Sequence, residues 1–127
     1  MIVLDASAAL SALLNAGPAR SFVAAEQVHA PHLIDTEIAS GLRRQVRAKV
    51  LTADQAWAAL DTWRRLGLTR HPVPGLLSRI WELRDNVSAY DASYVALAEV
   101  LGCSLLTADA RLGRVAGVRC PVTVIPR

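Results

Sequence analysis

Met1-Ile-Val-Leu-Asp5-Ala-Ser7 opens the chain with a short apolar run, an acid and, two positions on, a hydroxyl. Ile2-Val-Leu4 has the length and the β-branched content of a buried strand. The Ala- and Leu-rich stretch from Ser7 to Leu14 then reads as a helix, ended by Asn15-Ala-Gly17-Pro18. A strand passing almost directly into a helix is half of a βαβ unit. Asp5 stands at the joint, where it either caps the helix or faces a site at the strand's carboxyl end.

The same rhythm continues along the chain. Ala19 to Gln27 fits a second short helix, and Val28-His-Ala-Pro31 a weak strand whose Pro marks its end or a sheet edge. A long helix follows to about Lys49, with Asp35 as its N-cap and Ile38, Leu42 and Val46 on one apolar stripe. Thr52-Ala-Asp-Gln55 has the capping-box pattern for another helix, to Leu66, which is expected to bury Trp57 and Leu60. These two long helices are joined by a short turn and are expected to project as a hairpin from the sheet layer. Leu68 to His71 suits a strand. Gly75 to Arg84 suits a helix with Leu76, Leu77, Ile80 and Trp81 turned inward. Ser88 caps a helix that Gly102 closes, and Leu105-Leu-Thr107, a short helix from Ala110 to Val115 and Val122 to Ile125 complete the series. Alternating strands and helices imply a mostly parallel sheet covered on both faces. With 127 residues and no linker or repeat, the expectation is one domain over 1–127.

Composition narrows the function. The chain is 53% hydrophobic and 20% charged, enough to fold around a core and unlike a disordered chain. Charge and Gly interrupt every long apolar stretch, so no membrane span is expected. The amino terminus lacks the positive region of a signal peptide, which points to the cytoplasm. Cys103 and Cys120 have no metal or redox spacing and are expected to be free thiols in buried strands. The net charge of +3 is compatible with a nucleic-acid partner, and Lys49 is the lone Lys among Arg residues suited to phosphate contacts.

Four acids stand out by position. Asp5 and Asp109 follow apolar strand runs, and Glu37 and Asp91 lie in first helical turns. Each has a local explanation as a cap or a dipole partner, and Ser88-x-x-Asp91 itself fits a capping box. None of those explanations accounts for all four falling on one rim of an open parallel sheet. Two carboxylates about 5 Å apart repel by roughly 3 kcal/mol at an effective dielectric near 20. A cluster of four therefore calls for a cation, and an all-oxygen set favours Mg²⁺ or Mn²⁺ over zinc. His29, His32 and His71 are scattered and add nothing to a zinc case. Ser7 and Thr107 flank Asp5 and Asp109 and are candidate supports, as well as candidate local caps. Arg43, Arg44, Arg47 and Arg111, with Arg114, are candidate phosphate contacts, needed if a nucleic acid is to approach an acidic site. Trp57, Trp63 and Trp81 read as core or dimer-surface residues, so no base-stacking platform is expected.

Other phosphate chemistries fit less well. A dinucleotide fold needs a Gly-rich turn where Asp5-Ala-Ser-Ala-Ala stands. A haloacid-dehalogenase-type phosphatase needs a second Asp at the place of Ser7, and a receiver domain needs a late Lys, but none follows Lys49.

Four stretches taken in order resemble the PIN-domain ribonucleases, and among them the VapC toxins of bacterial toxin–antitoxin pairs. They are Val3-Leu-Asp5-Ala-Ser7, Ala30 through Glu37 to Arg44, Ser88-Ala-Tyr-Asp91 through Glu99, and Leu105-Leu-Thr107-Ala-Asp109-Ala-Arg111-Leu. The resemblance implies a PIN-like three-layer α/β sandwich in which Asp5, Glu37, Asp91 and Asp109 are the catalytic acids, Asp5, Asp91 and Asp109 holding metal. It also implies an Mg²⁺- or Mn²⁺-dependent endoribonuclease that works as a homodimer and is controlled by a VapB-like antitoxin. A silent domain of the same fold that only binds RNA or protein is the alternative. Gly17 to Ala30 is short for the family, which bears on the second helix and not on the acids.

Overall fold

The computed structural model describes residues 1–126. Five parallel strands form one sheet in the order β3-β2-β1-β4-β5, with β1 at Ile2–Leu4, β2 at Val28–Pro31, β3 at Thr69–His71, β4 at Ser104–Thr107 and β5 at Val122–Val124. The helices are α1 (Ala6–Leu14), α2 (Pro18–Ala25), α3 (Ile34–Arg47), α4 (Ala53–Arg65), α5 (Leu77–Glu82) and α6 (Ala89–Leu101). The expected α/β architecture is therefore present, including α2 in the short Gly17–Ala30 segment.

The strand order places the site. From β1 the chain proceeds to β2 and β3 on one side, whereas β4 and β5 lie on the other. The sheet thus changes direction between β1 and β4, and in open α/β sheets ligands bind in the crevice outside the strands' carboxyl ends at such a switch. Leu4 pairs with Leu106 there, and the Asp5 amide donates to the Leu106 carbonyl just beyond. Val3, Leu4, Leu105 and Leu106 are buried, because both faces of these central strands are covered.

Local chemistry sets the helices. Asp5 Oδ1 accepts from the Ala8 amide and caps α1. Thr52 and Gln55 form the reciprocal capping box on α4. Ser88 caps α6, and Gly102, at φ 66°, closes it in the left-handed conformation that a residue without Cβ adopts most easily. α4 packs along α3, so the two long helices do form a hairpin, and α4 also reaches α1.

Several expectations needed correction. Asp35 does not cap α3. Leu33 occupies that position with helical backbone angles, and Asp35 lies inside the first turn. There it accepts two bonds from the Arg70 guanidinium and one from the Trp63 indole, tying α3 to β3 and α4. Pro31 ends β2, which is interior to the sheet and not an edge. Trp63, not Trp57, is the tryptophan buried by α4. Trp57 is 58% exposed, with the Arg64 guanidinium 6.0 Å from its ring centre. The stretch expected as one helix from Gly75 splits into a 3₁₀ turn, Pro74–Leu76, and the six-residue α5. This shorter helix buries Ile80 and leaves Leu77 and Trp81 exposed. Cys103 and Cys120 are free but only half-buried, and both lie just before their strands. Partial burial pushes the Cys120 thiol up to about 11, so it stays protonated.

A candidate acidic active site

An open groove of about 850 Å³ lies at the switch point, and Asp5, Glu37, Asp91 and Asp109 all line it. Four separate elements supply them. Asp5 follows β1, Glu37 sits in the first turn of α3, Asp91 in that of α6, and Asp109 leads from β4 into a 3₁₀ turn at Ala110–Arg114. Helices α3 and α6 both begin at the rim where β1 and β4 end, because each runs back against the parallel strands.

Asp5 is the most constrained of the four and only 4% exposed. Its Oδ1 accepts from Ser7 Oγ at 2.7 Å and from the Ala8 amide at 2.9 Å, and its Oδ2 accepts from Thr107 Oγ1. The two hydroxyls also approach each other at 3.2 Å. Ser7 Oγ further accepts from the Ala108 amide, and Thr107 Oγ1 from the Asp109 amide. Ser7 and Thr107 are therefore more than neighbours of the acids. They bolt the end of β4 to the start of α1 and fix Asp5 in one rotamer.

Glu37 is oriented from across the groove. Tyr94, fully buried in α6, donates its hydroxyl to Glu37 Oε1 at 2.6 Å. Tyr94 lies one helical turn after Asp91, so the two share the face of α6 that meets the groove. Sequence reading missed Tyr94. Its three-residue spacing from Asp91 was the available signal, obscured by the apolar run around it.

The electrostatics are those of an incompletely compensated cluster. Burial is the chief cause raising the Asp5, Glu37 and Asp91 carboxyls above their usual range. Repulsion adds to it, from Asp91 on Asp5, from Asp91 and Asp5 on Glu37, and from Asp109 on Asp91. Positive charge reaches only the margin. Arg111 bridges to Asp109 at 2.7 Å, and Arg44 lines the groove on the Glu37 side. Of the other candidate phosphate contacts, Arg43, Arg47 and Arg114 are exposed but do not line the groove.

Carboxylate oxygens on four sides of a groove, three of them raised by burial and mutual repulsion, form a donor set suited to a hard divalent cation. Among the described residues, no three of the Asp, Glu, His and Cys side chains stand close enough together to hold one ion as they are now turned. Holding one ion there would need side-chain rotation, and the Asp109–Arg111 bridge, with Arg111 exposed, lies at the groove's margin.

The model of the PIN domain family matches residues 2–118 of this chain. It is a PIN domain of the VapC family. The chain is 62% identical over all 127 residues to Ribonuclease VapC9 of Mycobacterium tuberculosis, covering 100% of both proteins. It is 40% identical over 128 aligned positions to Ribonuclease VapC1 of the same species, covering 97% of this chain and 96% of that one. The fold is also that of VapC20 of M. tuberculosis, a toxin that cleaves the sarcin–ricin loop, with a TM-score of 0.68 at 22% identity over 94% of this chain and 97% of that one. Within this VapC chain, the four acids that the resemblance singled out, Asp5, Glu37, Asp91 and Asp109, all line the groove.

Proposed function

We propose that this VapC-family chain is a metal-dependent endoribonuclease, hydrolysing RNA phosphodiesters in the acidic groove, and that it is the toxin of a toxin–antitoxin pair. The convergence of Asp5, Glu37, Asp91 and Asp109 on one groove at the β1/β4 switch carries this reading. Asp5 and Asp91, with Asp109, would hold Mg²⁺ or Mn²⁺. A bound divalent cation supplies charge neutralisation at the phosphate and a more acidic water.

The chain's own residues do the rest. Ser7 and Thr107 keep Asp5 aimed into the groove. Tyr94 holds Glu37 Oε1, leaving Glu37 Oε2 to orient the attacking water and take its proton. Arg44 and Arg111 at the margins engage phosphates flanking the scissile bond, with Arg43 and Arg47 extending the basic path along α3. A VapB-like antitoxin is the proposed partner, and a homodimer the proposed assembly. The exposed Leu77 and Trp81 of α5 offer apolar area for a second copy.

The test is cleavage of total RNA by purified protein with Mg²⁺ or Mn²⁺, set beside the same reaction in chelator and beside Asp5→Asn. Cleavage is expected only in the first. Equal cleavage in chelator refutes the metal dependence, and full activity in Asp5→Asn removes Asp5 from the site.

A further inference from the structure

We infer that Tyr90 forms a nucleobase-binding subsite, stacking an unpaired base of the RNA next to the phosphate handled at Asp91. This rests on the ribonuclease reading and adds to it the groove's way of gripping a strand that its charge repels.

Tyr90 immediately precedes Asp91 in the first turn of α6 and lines the same groove as the four acids. It is 64% exposed, whereas residues 92 to 98 of the same helix are all buried. The turn beneath it is fixed, because Ser93 Oγ donates to the Tyr90 carbonyl at 2.6 Å and Ser88 caps the helix. The ring is thus a large planar surface on a rigid base at the lip of the groove. The other two strongly exposed aromatics are covered differently. A guanidinium lies 6.0 Å from the Trp57 ring centre and another 4.8 Å from that of Trp81, and Trp81 is itself 68% exposed. Among the described residues no cation takes up the Tyr90 face in this way.

The chemistry of the groove favours a base as the occupant. Four carboxylates repel a phosphodiester except where a bound cation would neutralise them, and the flanking arginines offset this only at the margins. Stacking supplies attraction that carries no charge, and every base offers a π-face to it. Single-stranded RNA is gripped in this way on aromatic side chains. Tyr90 and Asp91 both line the groove from the first turn of α6, so a base on the ring and a phosphate at the acid would belong to nearby nucleotides of one strand. Sequence reading weighed only the tryptophans and expected no stacking platform; on this account Tyr90 is one.

The experiment compares two fluorescein-labelled strands, a mixed-sequence RNA decamer and a decamer of abasic ribose phosphates with the same charge. Both are titrated by fluorescence anisotropy against the cleavage-silenced Asp5→Asn chain. Tyr90 is then changed in that background to Ala, Phe or Trp, and thermal melts compare the folding of each variant. The base-bearing strand is expected to bind about five- to hundredfold more tightly than the abasic one when position 90 is Tyr, Phe or Trp. With Ala the ratio is expected to collapse toward one. A preference that survives Tyr90→Ala overturns the subsite, and so does Tyr90→Phe behaving like Ala, since the hydroxyl would then be the contact. No preference in the Tyr90 protein also overturns it, and wild-type cleavage of total RNA measured alongside distinguishes that result from failure of the nuclease reading. A Tyr90→Ala chain that binds RNA normally but loses a co-expressed protein partner reassigns the ring to protein docking.

Discussion

Asp5 and Asp35 begin as equals. Each stands near a helix start, and each reads in the sequence as an N-cap. The structure gives them opposite surroundings. Asp35 is met by a cation, two bonds from Arg70, and by the Trp63 indole, and its carboxyl is held below the usual range chiefly by the Arg70 hydrogen bonds. Among the described residues Asp5 is met only by neutral donors, two hydroxyls and an amide, and burial pushes its carboxyl up despite them. An acid that holds a fold together is given its counter-charge by the chain. Asp5 is fixed just as firmly by hydroxyls and an amide but is given no such counter-charge.

The largest effect should come from Asp5→Asn. It keeps the size of the side chain and removes the charge, and RNA cleavage should fall by more than about a hundredfold, beyond what loss of a supporting residue costs. Initial rates at saturating Mg²⁺ measure this. Asp35→Ala is the mirror image. It strips the acceptor from the indole of buried Trp63, so the unfolding free energy should drop by about 1–2 kcal/mol in denaturant titrations while the cleavage rate of the folded protein stays within about twofold. Asp35 and Arg70 are partly exposed, so the ion pair itself adds at the low end of that range. If Asp35→Ala abolished cleavage without loss of stability, the division between the two acids would be lost.

Next in size is Thr107→Val, which is nearly isosteric and deletes the hydroxyl that donates to Asp5 Oδ2 and accepts from the Asp109 amide. A support of this kind is worth about ten- to a hundredfold in metal affinity or activity. The variant should therefore need more Mg²⁺ for half-maximal rate, read from rates across a metal titration. An unchanged metal requirement would reduce Thr107 to a strand residue.

The contrast also separates what was legible in the sequence from what was not. The β1–Asp5–α1 joint, the Thr52 and Ser88 caps and the Gly102 stop are local, and local chemistry sets them, so those elements lie within a residue or two of expectation. The four acids were legible for a related reason. The parallel topology puts every strand's carboxyl end and the adjoining helix starts on one rim, so position along the chain maps to position in space. Partners far apart in sequence were not. Asp35 meets Trp63 28 residues on and Arg70 35 residues on, and Glu37 meets Tyr94 57 residues on. Nothing in the first-turn pattern of α3 distinguishes the acid that gets a guanidinium from the one that gets a phenol. The misplacements of Trp57 and Trp81 have a similar origin. An amphipathic stripe tells which residues share a face, but α4 and α5 have ambiguous stripes in which a tryptophan can go either way.

A smaller effect should appear in melting temperature with metal. A cation that binds only the folded chain at ten times its Kd adds about 1.4 kcal/mol, a shift of a few degrees for a protein of this size. Wild-type protein should show the shift with Mg²⁺ or Mn²⁺ in scanning calorimetry, and Asp91→Asn should not. An equal shift in both would place the ion elsewhere.

The finest test is the sign of the pH dependence, because the two kinds of acid must move stability in opposite directions. Asp35 has a folded value below its ordinary 3.8, so its contribution is fully present above that point and is lost as pH falls through the lower folded value. Asp91 has a folded value above 3.8, raised first by burial and then by Asp109. The folded chain therefore binds more protons than the unfolded chain between 3.8 and that raised value, and stability falls as pH rises through the interval. Without divalent metal, Asp91→Asn should gain stability relative to wild type as pH is raised from about 4 toward neutrality and then hold a constant advantage. Asp35→Asn should instead lose stability relative to wild type over its own, more acidic interval. Urea titrations at a series of pH values read both differences. The metal should erase the first and leave the second untouched, since only the groove is short of positive charge. Two curves of the same sign would mean that Arg111 and the Ser88 hydroxyl outweigh burial and Asp109 at Asp91 in the folded chain.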